Sequence, residues 1–338
     1  MKIKYLQVIG AFLIGLTVPV LAMQIGAMAF TRTQATVPPQ ETVPSQETQP
    51  SIQQTVAQPQ PGSDKEEKIH VLLLSGQTIE MDLEEYLIGV LLAEMSTSYE
   101  MDALRAQAVV ARTYALKRQQ EKRHPMDAVC ADYACCQAYI STAEYLDGLG
   151  YPPDVEKASV AVRDTKGEVL TYRGKLILAT YFSSSGGRTE DAVAVWGVVY
   201  PYLQAVESPG EENLADYKKE EYFTKEQLEQ SLGRTLTGKP ENWVGWTTYT
   251  TGGGVRTINF ADQEYSGTQL RSLLKLNSTA FAIYPWGNGI VITTLGRGHR
   301  VGMSQTGAQA MALAGCSYGE ILSHYYSGAG IDKIENMQ

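Results

Sequence analysis

From Asp82 to Arg118 the chain reads as two helices in succession, and the rest of any fold it adopts has to pack around them. Asp82, with Glu85 three residues on, is a capping-box signature that starts the first helix. Leu83, Leu87, Val90 and Glu94 then follow at spacings of four, three and four, which is one face of that helix. A carboxyl thus falls on the stripe to be buried, among Leu91, Leu92, Ala93 and Met95. Burial disfavours its charged form, as does the negative end of the helix dipole that it approaches. Both raise its pKa, and a carboxyl kept protonated near neutrality is what a general acid needs. The competing reading pairs Glu94 with an arginine of the second helix, or frays it into solvent. In that helix Arg105 and Arg112 share a face a heptad apart, with Gln107 nearby, placed to hold the Glu94 carboxylate or a ligand. Arg105 suits a solvated outer face, whereas Arg112 sits among Ala, Val and Tyr. Glu84, Glu85, Glu100 and Asp102 read as first-turn acids that complement the helix dipole.

The N-terminus divides the chain. Lys2 and Lys4 precede an apolar run from Tyr5 to Phe30, long enough at roughly 1.5 Å per residue to cross a ~30 Å hydrocarbon core. Residues 1–31 are expected to form a transmembrane anchor with a cytoplasmic tip, exporting the remainder of the chain. A cleaved signal peptide is the competing reading, because Ala27-Met28-Ala29 has the A-x-A form. Residues 32–67 are rich in Pro, Gln, Thr and Glu and cannot bury a core. They read as a tether reaching on the order of 30 Å as a coil and roughly 100 Å as polyproline II. Residues 68–338 carry the catalytic region.

Within that region Ile69–Leu74 and Gln77–Met81 read as strands turning at Ser75-Gly76, and Val155–Gly167 as a helix. Val169–Tyr172 and Leu176–Tyr181 read as a hairpin turning at Arg173-Gly174. Lys225–Leu232, Gly267–Leu276, Ala308–Ala314 and Tyr318–Tyr326 read as helices. Trp243–Phe260 alternates like strands about Gly252–Gly254, and Ile290–Leu295 is a further strand. Without a regular βαβ beat, the expected architecture is α+β. A formal net charge of −9 and the absence of an arginine-rich run weigh against a nucleic-acid partner. With 20 tyrosines against 6 phenylalanines, the composition favours a wet, hydrogen-bonding cleft.

His124, Cys130 and Cys136 are evenly spaced in an irregular segment and form a three-ligand zinc pattern with an open position. Cys135 is the candidate fourth ligand, although adjacent cysteines point differently. The alternative is a disulfide, from Cys130 to Cys135 or with Cys316. A deaminase-type C-x-x-C is absent. Ser184 and Ser185 lie in a glycine turn, Ser183–Gly187, where a glycan can approach the backbone, and no G-x-S-x-G elbow is present. His299 and Gln305, in the glycine-rich Gly296–Gly307 segment, are further candidates for binding substrate. The tryptophans default to core packing, with stacking on sugars as their alternative.

Four stretches, in order, resemble the stage II sporulation protein D (SpoIID) family: Glu85-Tyr-Leu-Ile-Gly-Val-Leu-Leu-Ala-Glu-Met95, Ala103-Leu-Arg-Ala-Gln-Ala-Val-Val-Ala-Arg-Thr-Tyr-Ala-Leu116, Ser184-Ser-Gly-Gly-Arg-Thr-Glu190 and His299-Arg-Val-Gly-Met-Ser-Gln-Thr-Gly-Ala308. Arg300 stands where the family usually has glycine, and Thr306 where an aromatic is common. The resemblance implies a lytic transglycosylase of peptidoglycan, acting on glycan strands stripped of stem peptides during engulfment in sporulation. It implies Glu94 as the catalytic acid and Arg112 as its partner, and it favours zinc on His124, Cys130 and Cys136. It also implies an amidase of the SpoIIP type and a membrane anchor protein of the SpoIIM type as partners, in the septal space outside the cytoplasm. Two rivals remain open: a zinc hydrolase using Glu94 as base, and a non-catalytic wall-binding activator of an amidase.

Overall fold

A computed structural model describes residues 67–148, 150–213 and 217–337. The expected anchor and nearly all of the tether lie outside the described residues. Among those described, no helix is long and apolar enough to cross a membrane.

The first helix, α1 (Leu83–Glu94), begins where the Asp82 carboxylate accepts the amides of Glu84 and Glu85 at 2.9 and 3.1 Å. The second, α2 (Met101–Gln120), is the axis of the larger core. Its alanines 103, 106, 108, 111 and 115 are all fully buried, so neighbours close in on several sides. Those neighbours are α1, the helix Pro152–Asp164, the strand Glu168–Tyr172 and the C-terminal helices Gln305–Leu313 and Tyr318–Tyr325. The ends of the described chain are thereby brought onto one helix.

The sheets are small and peripheral. Lys68–Leu72 and Thr78–Asp82 pair antiparallel through a turn at Gly76, and Lys68–Leu72 also pairs in parallel with Val129–Cys130. Glu168–Tyr172 pairs with Lys175–Leu176 across Arg173 and Gly174, whose φ values of 52° and 72° are those of a tight primed turn. The second arm of this hairpin stops earlier than its sequence suggests. Tyr181–Phe182 instead pairs in parallel with Met303–Ser304, which joins the third resemblance motif to the fourth.

A second apolar core, built from Leu228, Trp243, Phe260, Leu270, Ile290 and their neighbours, occupies the stretch between these motifs. It contains the expected helices Lys225–Leu232 and Gly267–Leu274 and the strands Val244–Tyr249 and Val255–Phe260. It also contains two strands that the pattern did not announce, Lys218–Phe223 and Phe281–Trp286, flanking Gly289–Leu295. Both are edges. One is charged (Lys-Lys-Glu-Glu) and the other carries Pro285, features that protect an edge and erase the alternation of a central strand. The architecture is α+β, as expected.

A buried ion pair fastens this second core to the motif segments. The Arg300 guanidinium reaches Glu190 Oε1 at 3.2 Å and donates to the carbonyls of Ser185, Arg188 and Gly252 at 2.6, 2.8 and 2.7 Å. Glu190 Oε1 also accepts the Gly254 amide and the Thr250 hydroxyl. Both side chains are almost wholly excluded from water. Removing one partner strands the other, so Arg300→Met is expected to cost about 3–5 kcal/mol in urea unfolding, and adding Glu190→Gln to recover part of the loss.

Candidate active site

α1 ends at Glu94, and its last turn opens onto a cleft of about 1050 Å³. Glu94 is the one carboxyl on the cleft wall among the described residues. Its Oε1 accepts the Ala138 amide at 2.6 Å, and the Tyr181 hydroxyl also interacts with the carboxyl. Both contacts favour the ionised form, yet the loss of hydration outweighs them and holds the pKa above the ordinary carboxylate value. No arginine or lysine contributes to that balance. Behind the carboxyl, the Tyr181 hydroxyl also lies 3.2 Å from Gln137 Oε1, so its one hydrogen has two acceptors to choose between, and Gln137 Nε2 donates to the Tyr86 hydroxyl at 3.0 Å. Burial raises the pKa of both tyrosines, so they stay neutral donors. Tyr181, Gln137 and Ala138 were not singled out in the sequence. They reach Glu94 only through tertiary packing, and no local pattern marks them.

The last motif forms part of the same wall. Gln305 Nε2 donates to the Glu94 backbone carbonyl at 3.1 Å, satisfying one of the free carbonyls at the end of α1. His299 lies against Trp196 and Phe182, with ring centroids 5.3 and 5.6 Å away. Burial, followed by the nearby Arg271 charge, lowers its pKa to about 4, so the ring is neutral near pH 7. Its Nδ1 accepts the Val301 amide at 3.1 Å, and the ring also bonds to the Tyr181 backbone. His299 and Gln305 therefore both border the cleft, and both are bonded to its backbone.

Four expected site residues lie elsewhere. Arg112 does not touch Glu94. It is fully buried and grips Glu84 with two bonds, of 3.0 and 2.5 Å, in the first turn of α1, on the order of 15 Å from Glu94 along the helix axis. It also donates to the Glu168 and Val162 carbonyls, so it locks α1 and α2 to their neighbours. Arg105 is held by Asp164 at 2.6 Å and by Asp102, away from the cleft. Ser184 and Ser185 turn inward instead of facing a ligand. Their hydroxyls donate to Glu211 at 2.7 and 2.8 Å, and the amides of Ser185 and Gly186 and the Ser208 hydroxyl donate to the same carboxylate. The glycine turn thus wraps a buried acid that the sequence did not flag. Arg300 has φ 65°, the left-handed region that favours glycine, which fits the glycine usual at this position. Its bonds to Glu190 and three carbonyls offset that strain. Thr306 is buried, and its amide donates to the Ser183 carbonyl.

His124, Cys130 and Cys136 do come together, and Cys135 joins them: the four ligand atoms all lie within 4.8 Å of one another. His124 Nε2 is 3.4 Å from Cys135 Sγ and 3.5 Å from Cys136 Sγ. None of these cysteines, nor Cys316, is in a disulfide. A turn at Asp132, which caps the Ala134 amide and accepts the Cys135 and Cys136 amides, lets adjacent cysteines face one point. Three thiols and an imidazole at this separation fit a tetrahedral zinc ion with all four positions filled, instead of the open three-ligand set read from spacing. Cys135 and Cys136 also border the cleft, on the side of Ala138.

The cleft thus has one desolvated carboxyl among the described residues of its wall, with aromatic rings and arginines around it and a cluster of three cysteines and a histidine beside it. Comparison with known sequences agrees with the motifs. The model of the SpoIID family, described as stage II sporulation protein, matches residues 75–172. The chain is 36% identical over 274 residues to stage II sporulation protein D of Bacillus subtilis (strain 168), covering 79% of each chain. It is 36% identical over 275 residues to the protein of the same name from Bacillus amyloliquefaciens, again covering 79% of each. It is also 29% identical over 295 residues to the amidase enhancer of B. subtilis, covering 71% of this chain and 39% of that one. The chain belongs to the stage II sporulation protein D family.

Proposed function

We propose that the protein is a lytic transglycosylase that cleaves the bond between N-acetylmuramic acid and N-acetylglucosamine in glycan strands stripped of stem peptides. The observation that carries this reading is Glu94, the single carboxyl of the cleft among the described residues, held above its ordinary pKa by loss of hydration. Protonated Glu94 donates to the glycosidic oxygen as the C1–O bond breaks. The resulting carboxylate then accepts the proton of the muramyl 6-hydroxyl as that oxygen closes onto C1, leaving a 1,6-anhydro end. One carboxyl serves as acid and then as base, so the second carboxylate of an ordinary glycosidase is not required. The Ala138 amide and the Tyr181 hydroxyl stabilise the carboxylate between the two steps. Arg112 and Arg105 act through the packing of α1 and α2 and not on the reacting atoms.

In this reading the chain is tethered outside the membrane by residues 1–67 and works with a SpoIIP-type amidase, which strips the glycan, and a SpoIIM-type anchor protein. A zinc ion on His124, Cys130, Cys135 and Cys136 would pin the segment bearing Ala138 against α1. Bound there, it supplies rigidity and leaves the proton chemistry to Glu94. A filled four-donor set weighs against a zinc hydrolase, which needs an open metal position.

Mass spectrometry of digested, peptide-free glycan tests the reaction. Wild type is expected to give anhydro-ended products and Glu94→Gln to give none while keeping its fold; anhydro products from Glu94→Gln would remove the assignment. Because the acid must be protonated, the rate should fall as pH rises through the raised Glu94 pKa, giving a descending limb above the usual ~4.3 of a free glutamate. For the metal, elemental analysis should find a single zinc ion per chain. Cys135→Ser should weaken its retention as Cys130→Ser does, and an unaffected Cys135→Ser would restore the three-ligand reading.

A further inference from the structure

The chain is strongly acidic overall, yet among the described residues the charged side chains on the cleft wall apart from Glu94 are four arginines: 118, 123, 271 and 297. Of these, Arg118 alone has a carboxylate partner among the described residues. Arg118 pairs with Glu121 at 2.6 Å and lies over the Tyr114 ring, and Arg123 stands beside Cys135 and Tyr114. Arg271 and Arg297 have no carboxylate partner among the described residues. Arg271 is half-buried, and its hydrogen bond is from Nε to the Leu276 carbonyl, 3.3 Å away, which leaves its terminal nitrogens without a side-chain or backbone partner among the described residues. A half-buried guanidinium without a counter-ion is costly, and a ligand anion removes that cost. Arg271 also borders a smaller cavity of about 330 Å³ that shares Leu276 with the main cleft and adds Lys275. The basic lining thus extends from the main cleft into this neighbouring cavity through Arg271, as suits a polymer more than a single sugar.

We infer that Arg271 and Arg297 are the specificity determinants of the cleft, binding the lactyl carboxylates that muramic acid residues expose once their stem peptides have been removed. This rests on the glycan-cleaving reading above and assigns to these side chains the choice of stripped over peptide-bearing strands. A carboxylate offers the planar pair of oxygens that a guanidinium matches with two parallel bonds. With a stem peptide attached, the same carbonyl is an amide, with no charge and one acceptor oxygen. Repeating carboxylates along a strand also match a wall that carries more than one cation. A glycerol-phosphate polymer would meet the same charges, but it has no sugar ring to place against the exposed Trp196 and no glycosidic oxygen to bring to Glu94.

Binding can be separated from turnover by working in the full chain carrying Glu94→Gln. Three ligands are compared: peptide-free glycan, the same glycan with its lactyl carboxyls converted to methylamides, and a glycerol-phosphate polymer. The Glu94→Gln chain is expected to bind free-carboxylate glycan about tenfold more tightly than the methylamide form, a preference that shrinks with added salt. Adding Arg271→Gln and Arg297→Gln should abolish the preference while leaving methylamide binding unchanged; Arg271→Lys with Arg297→Lys, which keeps charge and fold, should retain part of it. Equal binding of the two glycans by the Glu94→Gln chain overturns the inference. So does a preference that survives both glutamine substitutions, or tighter arginine-dependent binding of the phosphate polymer. If the carboxylate preference holds but wild type makes no anhydro ends, the recognition stands and the reaction assignment fails.

Discussion

A carboxyl at the last residue of α1 loses more hydration than the Ala138 amide and the Tyr181 hydroxyl return to it, and no cation makes up the difference. The cleft exists to sustain that imbalance. α1 is capped at one end by Asp82 and tied at the other through Gln305, so the backbone that carries Glu94 is held at both ends of the helix. Behind it, Tyr181, Gln137 and Tyr86 form a neutral hydrogen-bonded chain that supplies polarity without charge.

The treatment of other acids in the fold sharpens the contrast. Glu84 has the two-pronged grip of Arg112, Glu190 has Arg300, and Glu211 sits in a nest of hydroxyls and amides. Each is met by a guanidinium or by several converging donors. These compensated acids fasten the structure together: Glu84 joins α1 to α2, Glu190 joins the second core to the motif segments, and Glu211 shapes the glycine turn. Glu94 has no such cation against it among the described residues, and burial raises its pKa, while arginines without a carboxylate partner stand along the cleft wall. The cysteine and histidine cluster lies on the segment that leads into Ala138, so a metal there would steady the one amide that bonds the acid.

Much of this was legible in the sequence because it is local. The cap at Asp82, the stripe ending in Glu94, the Arg173-Gly174 turn and the helix Lys225–Leu232 all depend on spacings of a few residues. What could not be read depends on which distant segments meet. Arg112 sits on the right helix but faces Glu84, because the face shared with Arg105 says nothing about which turn of α1 lies opposite. Ser184 and Ser185 have the composition of a ligand-binding turn, and the buried Glu211 that claims them lies some way along the chain. Cys135 was discounted because neighbouring side chains diverge in regular structure, whereas a turn at Asp132 makes them converge. The edge strands were hidden for the opposite reason: the charges and the proline that protect an edge remove the alternation by which a strand is recognised.

The account stands on the protonation of one side chain, which can be observed without substrate, metal or partner. Carbon-13 NMR of glutamate-labelled protein, titrated with pH, would follow each carboxyl, and the resonance missing from Glu94→Gln identifies the one that matters. Its midpoint is expected above the ~4.3 of an unperturbed glutamate, displaced by desolvation. A midpoint at or below that value would mean the cleft holds an ordinary carboxylate, and the acid-catalysed reading would fail.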